Sequence, residues 1–472
     1  MQLMKCYFRL FILPLFIKEI LMKRVNSPYL YCVLPILLAT PITLLAGTTN
    51  SQCSPQNYNA VPDGKTVITK QLQKTIDVCS RNGGGIVSLD KGVWLSGPIS
   101  LKDNVTLHLA EGSVLLATNI NNDFKRAFIG SEAQEGEAFI LANNVSNVSI
   151  TGTGTVNGSG KEIWWPEALG VRNIVKVQGD TDYFLQRYPG IPLANGVPRP
   201  WLIEFNNVTN GHIGGILATN SPMWNIVLRN SQNITFNGTR VRNPEYSPNS
   251  DGIDVVASQH ISMKNLDIST GDDNVAIKSG LANVPLIARA SSDIEIFDSV
   301  MHEGHGISVG SETANGIGSI YIHDVKFNKT LNGFRVKSAR DRGAQIGPIK
   351  VENLKMVDVH TPILFTESYT GQSGASDEPL PTIEPVAVTK TTPFIHDVAI
   401  TNLTADNASI AGVFSGLPES PLKNIQLNNI HISSKLGIKT AYAEIAAKNI
   451  DVTTEVGKAI NKGPETYLTD IK

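Results

Sequence analysis

Asn233-Ile-Thr-Phe and His260-Ile-Ser-Met, two stretches that lie 27 residues apart, decide the fold of this chain. Each is a polar residue followed by alternating apolar and polar residues, and this alternation is typical of a short β-strand. The pattern recurs at steps of mostly 25 to 33 residues, beginning at Asn104, Asn147, Asp293, Ser319, Asp397, Asn424 and Asn449. A repeat of this length, with Gly, Asn and Asp supplying turns of positive φ, predicts a chain wound into coils.

The coil repeat predicts an all-β fold, namely a single-domain right-handed parallel β-helix over residues 48–472. A β-propeller has a similar period, but its blades need four strands joined by hairpin turns, and such hairpins are not visible in the sequence. Leu72–Arg81 is the best helical segment, and we expect it to cap the open end of the first coil. The wider gap after Ser319 predicts a further coil near Ile349 and a loop.

The N-terminal region, residues 1–47, has the pattern of an export signal. A positively charged start at Met22 precedes the apolar stretch Tyr29–Ala46, and Met22 is an alternative true start. A membrane anchor is the competing interpretation because Tyr7–Leu21 is also apolar. No later segment has the 18 or more apolar residues that a membrane helix needs. We therefore expect a secreted, extracellular protein that leaves the membrane after signal cleavage.

Cys53 and Cys79 remain in the mature chain, 26 residues apart and therefore about one coil apart. Exported chains meet oxidising conditions, which favours a disulfide that closes the first coil. Two free buried thiols are the alternative. A metal site would need more ligands than these cysteines supply.

Composition limits the kind of partner. The chain of 472 residues has a formal net charge of −2, whereas general nucleic-acid binders usually carry a basic face. We therefore expect no nucleic-acid partner, and any attraction for a polyanion must be local.

The strand pattern also generates many Asn-x-Ser/Thr triplets. They begin at Asn104, Asn147, Asn207, Asn233, Asn328 and Asn402. Such triplets are acceptors for glycosylation in secreted proteins. Stacked Asn residues at turns, each followed by a strand Thr or Ser, would produce the same triplets without any glycan.

Acidic and basic residues recur at coil-length steps in the middle of the chain. Asp251 is followed after 21 residues by Asp272-Asp273, then after 32 by His305 and after 30 by Arg335-Val-Lys337. If each step is about one coil, these side chains stack on one face of the solenoid. Carboxylates facing cations in a groove indicate hydrolysis of an anionic polymer.

The chemistry explains why these residue types belong together. Hydrolysis of a glycosidic bond needs one protonated carboxyl to protonate the leaving oxygen and one carboxylate to activate the nucleophile. Crowded carboxylates raise the pKa of at least one of them. The glycines that flank His305 would let a sugar approach the backbone closely. Arg335 and Lys337 lie two apart on a strand, so both can grip one substrate carboxylate.

Four motifs resemble the signature motifs of polygalacturonases, glycoside hydrolase family 28. They are Asn249-Ser-Asp251, Gly271-Asp272-Asp273, Gly304-His305-Gly306 and Arg335-Val-Lys337, and the resemblance runs from about Tyr58 to the last coil. The sequence departs from the family pattern at Ser250, where Thr is common, and at Val336, where Ile is common. Both changes are conservative.

The resemblance implies a polygalacturonase that hydrolyses α-1,4 galacturonosyl bonds of de-esterified pectin with inversion. Asp272 would be the general acid, and Asp251 and Asp273 would hold and activate the water. His305 would tune the acid's protonation or help to place the sugar. The substrate-binding residues would be Asn249, Arg335, Lys337 and Tyr369. The mechanism needs no cofactor and no metal, and we expect a monomer whose partner is polygalacturonate.

Three other functions stay open. A rhamnogalacturonan or xylogalacturonan hydrolase would share the family, a pectate lyase would eliminate with calcium, and a β-helical adhesin would have no catalysis. We expect endo action, although this depends on whether a loop blocks one end of the groove. Gly179–Pro200 and Gly371–Pro393 lie outside the strand pattern and could shape those ends.

Overall fold

The backbone of the computed structural model winds into successive coils of parallel strand. The structure describes residues 52–470 apart from 283, 285–288 and 372–373, so the predicted signal region lies outside the described residues. The described residues belong to one compact unit. Their 31 strands are, in chain order, β1 (Gln52–Cys53), β2 (Asp63–Val67), β3 (Gly85–Leu89), β4 (Gly92–Ser96), β5 (Ile99–Leu101), β6 (Val105–Leu109), β7 (Ser113–Ala117), β8 (Ala138–Asn143), β9 (Ser146–Gly152), β10 (Thr155–Asn157), β11 (Trp201–Asn206), β12 (Thr209–Gly214), β13 (Leu217–Thr219), β14 (Ile226–Arg229), β15 (Gln232–Asn237), β16 (Arg240–Arg242), β17 (Ile253–Val256), β18 (Gln259–Lys264), β19 (Asp267–Ser269), β20 (Val275–Lys278), β21 (Ser292–His302), β22 (Ile307–Val309), β23 (Ile320–Asn328), β24 (Asn332–Lys337), β25 (Gln345–Ile346), β26 (Ile349–Val357), β27 (Thr361–Thr366), β28 (Phe394–Ser415), β29 (Leu422–Ala441), β30 (Ala443–Lys462) and β31 (Thr466–Asp470).

The strands form three rows that run along the solenoid, and each strand pairs in parallel with its counterpart one coil away. The front row contains β8, β11, β14, β17, β20, β22, β24 and β27. The back row contains β6, β9, β12, β15 and β18, and the side row contains β7, β10, β13, β16 and β19. Further along the chain, β21, β23 and β26 each pass through both the back and the side row. The prediction of an all-β, right-handed parallel β-helix is confirmed.

The strand pattern in the sequence becomes the core because its apolar positions stack in register. Ile213 pairs with Phe236 in the next coil, and Ile234 pairs with Ile261, which pairs with Ile294. All five side chains are buried in one continuous core cluster. Full burial of each contributes about 1.5–3 kcal/mol, and a register shift of one residue would turn both columns towards solvent.

Asparagine ladders mark the corners of the coils. The side-chain Nδ2 of Asn147 donates to Oδ1 of Asn104 at 2.9 Å, Asn210 donates to Asn147 at 3.2 Å, and Asn233 donates to Asn210 at 3.2 Å. All four have φ between 57° and 63°, which Asn tolerates better than most side chains. Three of the triplets, at Asn104, Asn147 and Asn233, thus begin at stacked corner Asn residues, and their glycosylation stays a prediction.

The three α-helices of the described residues are α1 (Thr69–Arg81), α2 (Trp164–Lys176) and α3 (Thr181–Arg187). Helix α1 is the predicted cap of the first coil and begins three residues before Leu72. Its buried face packs into the core through Leu72, Ile76 and Cys79. Within the described residues, no helix is both long and apolar enough to cross a membrane.

The predicted disulfide between Cys53 and Cys79 is present. It links β1 to α1 with the two Cα atoms 6.0 Å apart. The alternative of two free thiols is therefore wrong. The cross-link fixes the capping helix to the strand at the start of the solenoid.

The segment between β10 and β11 leaves the coil, and it holds helices that the sequence pattern did not predict. Gly179–Pro200 was expected to be a loop, but α3 occupies part of it, with the Asp180 carboxylate accepting the Tyr183 N–H at 3.0 Å. Val171 of α2 packs in one buried cluster with Phe184 of α3. We call residues 158–200 the helical excursion. The described part of Gly371–Pro393 is a loop, and the predicted coil near Ile349 is β26.

Candidate active site

The predicted acids and His305 meet because each lies in or beside the turn that leads into a front-row strand, whereas Arg335 and Lys337 lie within the front-row strand β24. Backbone hydrogen bonds join successive turns: Gly252 N–H donates to the Asp273 carbonyl at 2.8 Å, and His305 N–H donates to the Asp272 carbonyl at 2.8 Å. Asp251 precedes β17, Asp272 and Asp273 precede β20, and His305 precedes β22. Steps in sequence thus become neighbouring positions on one face.

The glycines beside His305 serve the stacking of coils. A Cβ on Gly304, which has φ +111°, would lie 2.5 Å from Thr270 Oγ1, and a Cβ on Gly306, at φ +82°, would overlap the Asn332 carbonyl oxygen. Both positions therefore require glycine for their backbone conformation and for the close neighbouring coil. The expected close approach of a sugar to the backbone at these glycines stays a prediction.

Asp272 and His305 form the exposed centre of the site. His305 Nδ1 lies 2.9 Å from Asp272 Oδ1, and about one fifth of each side chain is exposed. Burial acts to raise the pKa of Asp272, but His305, Lys337 and Arg335 outweigh it and hold this pKa well below its usual range. The charged form of Asp272 is therefore favoured in this arrangement.

Asp273 is buried behind this pair and is held by two cations. Its Oδ2 accepts from Lys337 Nζ at 2.7 Å, and its Oδ1 accepts from Arg335 Nη2 and, at 2.8 Å, from Ser308 Oγ. Burial would raise its pKa, but Lys337 and Arg335 lower it. Arg335 and Lys337 thus contact a carboxylate of the protein itself, and their predicted grip on substrate stays a prediction.

Asp251 has a different environment from the other two acids. Only 3% of the residue is exposed, and its closest cation among the described residues is Lys278, whose Nζ lies 3.9 Å from Oδ2. Burial and the charges of Asp272 and Asp254 raise its pKa well above the usual value. Among the described residues, Asp251 Oδ1 has no hydrogen-bond partner. The crowding of carboxylates therefore raises one pKa, as predicted, and it does so at Asp251.

The two remaining predicted residues lie at the edge of the site. Asn249 Oδ1 accepts from Arg199 Nη2 at 3.3 Å, and Gly196 of the helical excursion packs directly against the Asn249 side chain. Tyr369 follows β27, and Lys337 Nζ lies 5.3 Å from the centre of its ring. Both residues face the same cleft as Asp272.

The cleft has a volume of about 1190 Å³ and follows the solenoid axis. Its floor comes from the turns of five successive coils, at residues 245–249, 271–272, 304–305, 329–331 and 358–360. Five coils span roughly 19 Å at the usual spacing between strands. Helix α2 and residues 192–197 form one wall, and residues 339–342 and 367–371 contribute to the lining. Both segments expected to shape the groove line it.

Sequence reasoning missed three buried charged residues around the site: Lys278, Glu312 and Glu367. Lys278 Nζ lies 3.4 Å from Glu312 Oε2, and Glu367 accepts the backbone N–H groups of Ile395 and Leu417 at 2.9 and 3.1 Å. Burial raises the pKa of Glu367 well above its usual value. A signal existed for Lys278, since a lysine ends the buried strand directly after Asp272-Asp273.

Among the residues that the structure describes, one group has donor atoms close enough for a metal ion. The donor atoms of Asp272, Asp273 and His305 all lie within 4.8 Å of one another. Arg335 and Lys337 occupy both oxygens of Asp273, however, and their positive charges oppose a divalent cation there. The donor set therefore does not fit a resident metal well.

A parallel β-helix with crowded carboxylates in a long cleft defines a candidate polysaccharide-cleaving enzyme. The sequence model of the glycosyl hydrolases family 28 matches residues 191–454, and the chain therefore belongs to this family. An endo-polygalacturonase of Pectobacterium parmentieri is 28% identical over 70% of this chain and 79% of its own length. A probable polygalacturonase of Vitis vinifera is 27% identical over 80% of this chain and 74% of its own. The fold is similar to that of a hyperthermoactive exopolygalacturonase of Thermotoga maritima, with a TM-score of 0.65 and 21% identity over 89% of this chain and 92% of the other.

Proposed function

We propose that this chain is a secreted polygalacturonase that hydrolyses α-1,4-galacturonosyl bonds of de-esterified pectin by an inverting acid/base mechanism. The observation that carries the proposal is the contact of Asp272 with His305 on the floor of the cleft, with Asp251 and Asp273 directly behind it. The family membership and the polygalacturonase names of the relatives support the substrate. The disulfide between Cys53 and Cys79 supports export, since such bonds persist in oxidising compartments.

The general acid in this proposal is Asp272, which must hold a proton when the glycosidic oxygen leaves. His305 and, less strongly, the cations Lys337 and Arg335 lower its pKa in this structure. A galacturonate carboxylate beside these cations would offset their charge and raise the pKa of Asp272. Asp272 would then take up a proton, with His305 Nδ1 at 2.9 Å beside it. Substrate binding would thus favour the protonated form of Asp272 that the reaction needs.

The water in this proposal is held by Asp251 and Asp273. Asp251 Oδ1, which accepts no hydrogen bond from the described residues, is suited to a water proton, and Asp273 is fixed by Arg335 and Lys337. Asn249 and Tyr369, on the edge of the cleft, would contact neighbouring sugars. The carboxylate that faces the attacking water acts as the general base.

The place of the acid within the cleft supports endo action. Floor residues extend from Asp272 in both directions, to Glu245 in an earlier coil and to His360 in a later one. A polymer could therefore lie on both sides of the cleavage point. Separation of the early products tests this: a ladder of oligomers supports endo action, and monomer or dimer alone contradicts it.

The first experiment incubates the protein with polygalacturonate and a chelator. We expect new reducing ends without ultraviolet absorbance, because hydrolysis leaves no unsaturated product. An absorbing product that disappears with chelator would instead identify a calcium-dependent lyase. Parallel incubations with xylogalacturonan and rhamnogalacturonan measure the preference within the family, and a higher rate on either would overturn the assignment to plain galacturonan.

The mutational test is Asp272→Asn, which keeps the shape but removes the acid proton. We expect loss of at least about 100-fold in kcat, the usual range for a general acid, with binding of the polymer retained. Asp293→Asn is the matched control, since Asp293 is half exposed at a coil corner outside the cleft. Near-normal turnover by Asp272→Asn would refute the role of this residue.

A further inference from the structure

Behind Asp251 lies a buried lysine that the mechanism above does not use. Lys278 ends β20, and its Nζ lies 3.2 Å from Asp254 Oδ1, 3.4 Å from Glu312 Oε2 and 3.9 Å from Asp251 Oδ2. No side chain in this group is more than 6% exposed. A buried charge is stable only where opposite charges compensate it. Here one ammonium group is shared among three carboxylates.

Contacts on its other sides fix the position of Lys278. The Trp224 ring lies under the ammonium group, with 4.1 Å from Nζ to the ring centre. Trp224 is itself held by parallel stacking on Trp201, with ring centres 5.5 Å apart. Asn195 of the helical excursion donates to Glu312 Oε1 at 3.2 Å. These contacts hold the ammonium group between the Trp224 ring and the three carboxylates.

Asp251 needs such a partner because its other charged neighbours are acids. Asp272, Asp273 and Asp254 all disfavour its charged form, as does burial, while Lys278 favours that form. Arg335 and Lys337 are bound to Asp273. A carboxylate that holds the attacking water must be ionised to accept a proton. The positive charge of Lys278 thus opposes the four effects that disfavour ionisation of Asp251, namely burial and the charges of the three neighbouring acids.

We propose that Lys278 is a positioning residue that sets the ionisation of Asp251, with Asp254 and Glu312 competing for the same ammonium group. The proposal rests on the role of Asp251 in holding the water. Lys278 touches neither the cleft nor the reacting atoms, and it acts only through Asp251. The buried cluster of Lys278 and its three carboxylates therefore sets the pH above which Asp251 is ionised and hydrolysis can begin.

The test compares pH profiles of kcat/KM on polygalacturonate for wild type, Lys278→Met and Lys278→Arg. Loss of the charge in Lys278→Met should move the acidic limb upwards by roughly one pH unit or more, the usual effect of a close charge. Lys278→Arg keeps the charge and should return the limb towards that of the wild type. A purely structural lysine would lower the rate at every pH and leave the limb in place, which would overturn the proposal.

A second variant keeps the test decisive if Lys278→Met does not fold. Glu312→Gln retains the shape of the side chain but withdraws one competitor for Lys278, so the ammonium group acts more strongly on Asp251. The acidic limb should then move to lower pH, opposite to Lys278→Met. An unmoved limb in Glu312→Gln would equally overturn the proposal. A wild type that releases no reducing ends from polygalacturonate would overturn this inference together with the proposed function, whereas an active wild type with unmoved limbs overturns this inference alone.

Discussion

The distance of each acid of the site from the nearest cations decides whether its pKa is lowered or raised. Asp272 and Asp251 lie one coil apart, yet the pKa of Asp272 is lowered and that of Asp251 is raised. Asp272 contacts His305 directly, whereas the nearest cation to Asp251 in the described part of the chain is 3.9 Å away and shared with other carboxylates. Environments that push two carboxyl pKa values apart are the usual basis for separate catalytic roles.

A second buried acid cluster gives a prediction about stability. Arg229 Nη2 lies 2.6 Å from Glu137 Oε1 and 2.7 Å from Glu204 Oε1, and burial followed by the charge of Glu204 raises the pKa of Glu137 to about 9. The folded chain therefore keeps a proton on Glu137 that the unfolded chain loses near pH 4.5. This contribution to stability is complete below pH 4.5 and is lost as the pH rises through about 9.

We expect Glu137→Gln to reduce this alkaline loss, because the amide stays neutral at every pH. Unfolding by urea should show a smaller fall in stability between neutral pH and pH above 9 for the variant than for the wild type. Glu111→Gln, at an exposed turn, is the control and should behave as wild type. Parallel curves for wild type and Glu137→Gln would contradict the prediction.

Strands were predictable from the sequence where helices were not. Each strand repeats the same alternation of apolar and polar residues, and the register between coils stacks the apolar ones into buried columns. The pairing of Ile234 with Ile261 could therefore be predicted from the repeat alone. Helix α2 contains Gly170 and several β-branched residues, which have weak helix propensity. Burial of Val171 and Val175 against α3 stabilises it instead, and such packing is not visible in local sequence.

Sequence motifs predicted only those site residues that follow one another at coil-length steps. Asp251, Asp272 and His305 come together as expected, because the turns before the front row stack directly. Lys278 and Glu312 were missed, since their meeting depends on which way each side chain leaves its coil. The assignment of the raised pKa to Asp251 depends on those same buried neighbours.

The capping element gives the next prediction. The disulfide closes a loop of 26 residues between β1 and α1, and a loop of this size is worth about 3 kcal/mol in the chain-entropy treatment. Replacing both partners, Cys53→Ser with Cys79→Ser, should therefore loosen the first coil. Hydrogen exchange should rise in β3 and β6, while the central strands β17 and β20 should keep their protection. Equal protection of β3 with and without the disulfide would contradict the prediction; wild type treated with a reductant is the control.

At the scale of the whole molecule, a chain with a formal net charge of −2 must attract an anionic polymer locally. The α2 wall of the cleft provides such a region, because the exposed cations Arg172 and Lys176 line it. Exposed Lys329 lies on the floor, whose turns also carry acids such as Glu245 and Asp358. Positive charge along a cleft raises the local concentration of an anionic substrate and its rate of association. The helical excursion thus adds to the solenoid a wall suited to the substrate's charge.

We expect the double variant Arg172→Gln with Lys176→Gln to lower kcat/KM on polygalacturonate several-fold at low salt, mainly through KM, because α2 does not touch the reacting acids. The loss should shrink as ionic strength rises, since salt screens charges that lie more than about 10 Å apart at 0.1 M. It should also shrink on partly methyl-esterified pectin, whose esterified units carry no charge. Lys70→Gln with Lys74→Gln is the matched control, because these lysines have the same spacing on α1 at the capped end and line no part of the cleft. A loss that is independent of salt, or equal in the two double variants, would show that α2 shapes the cleft without steering the polymer.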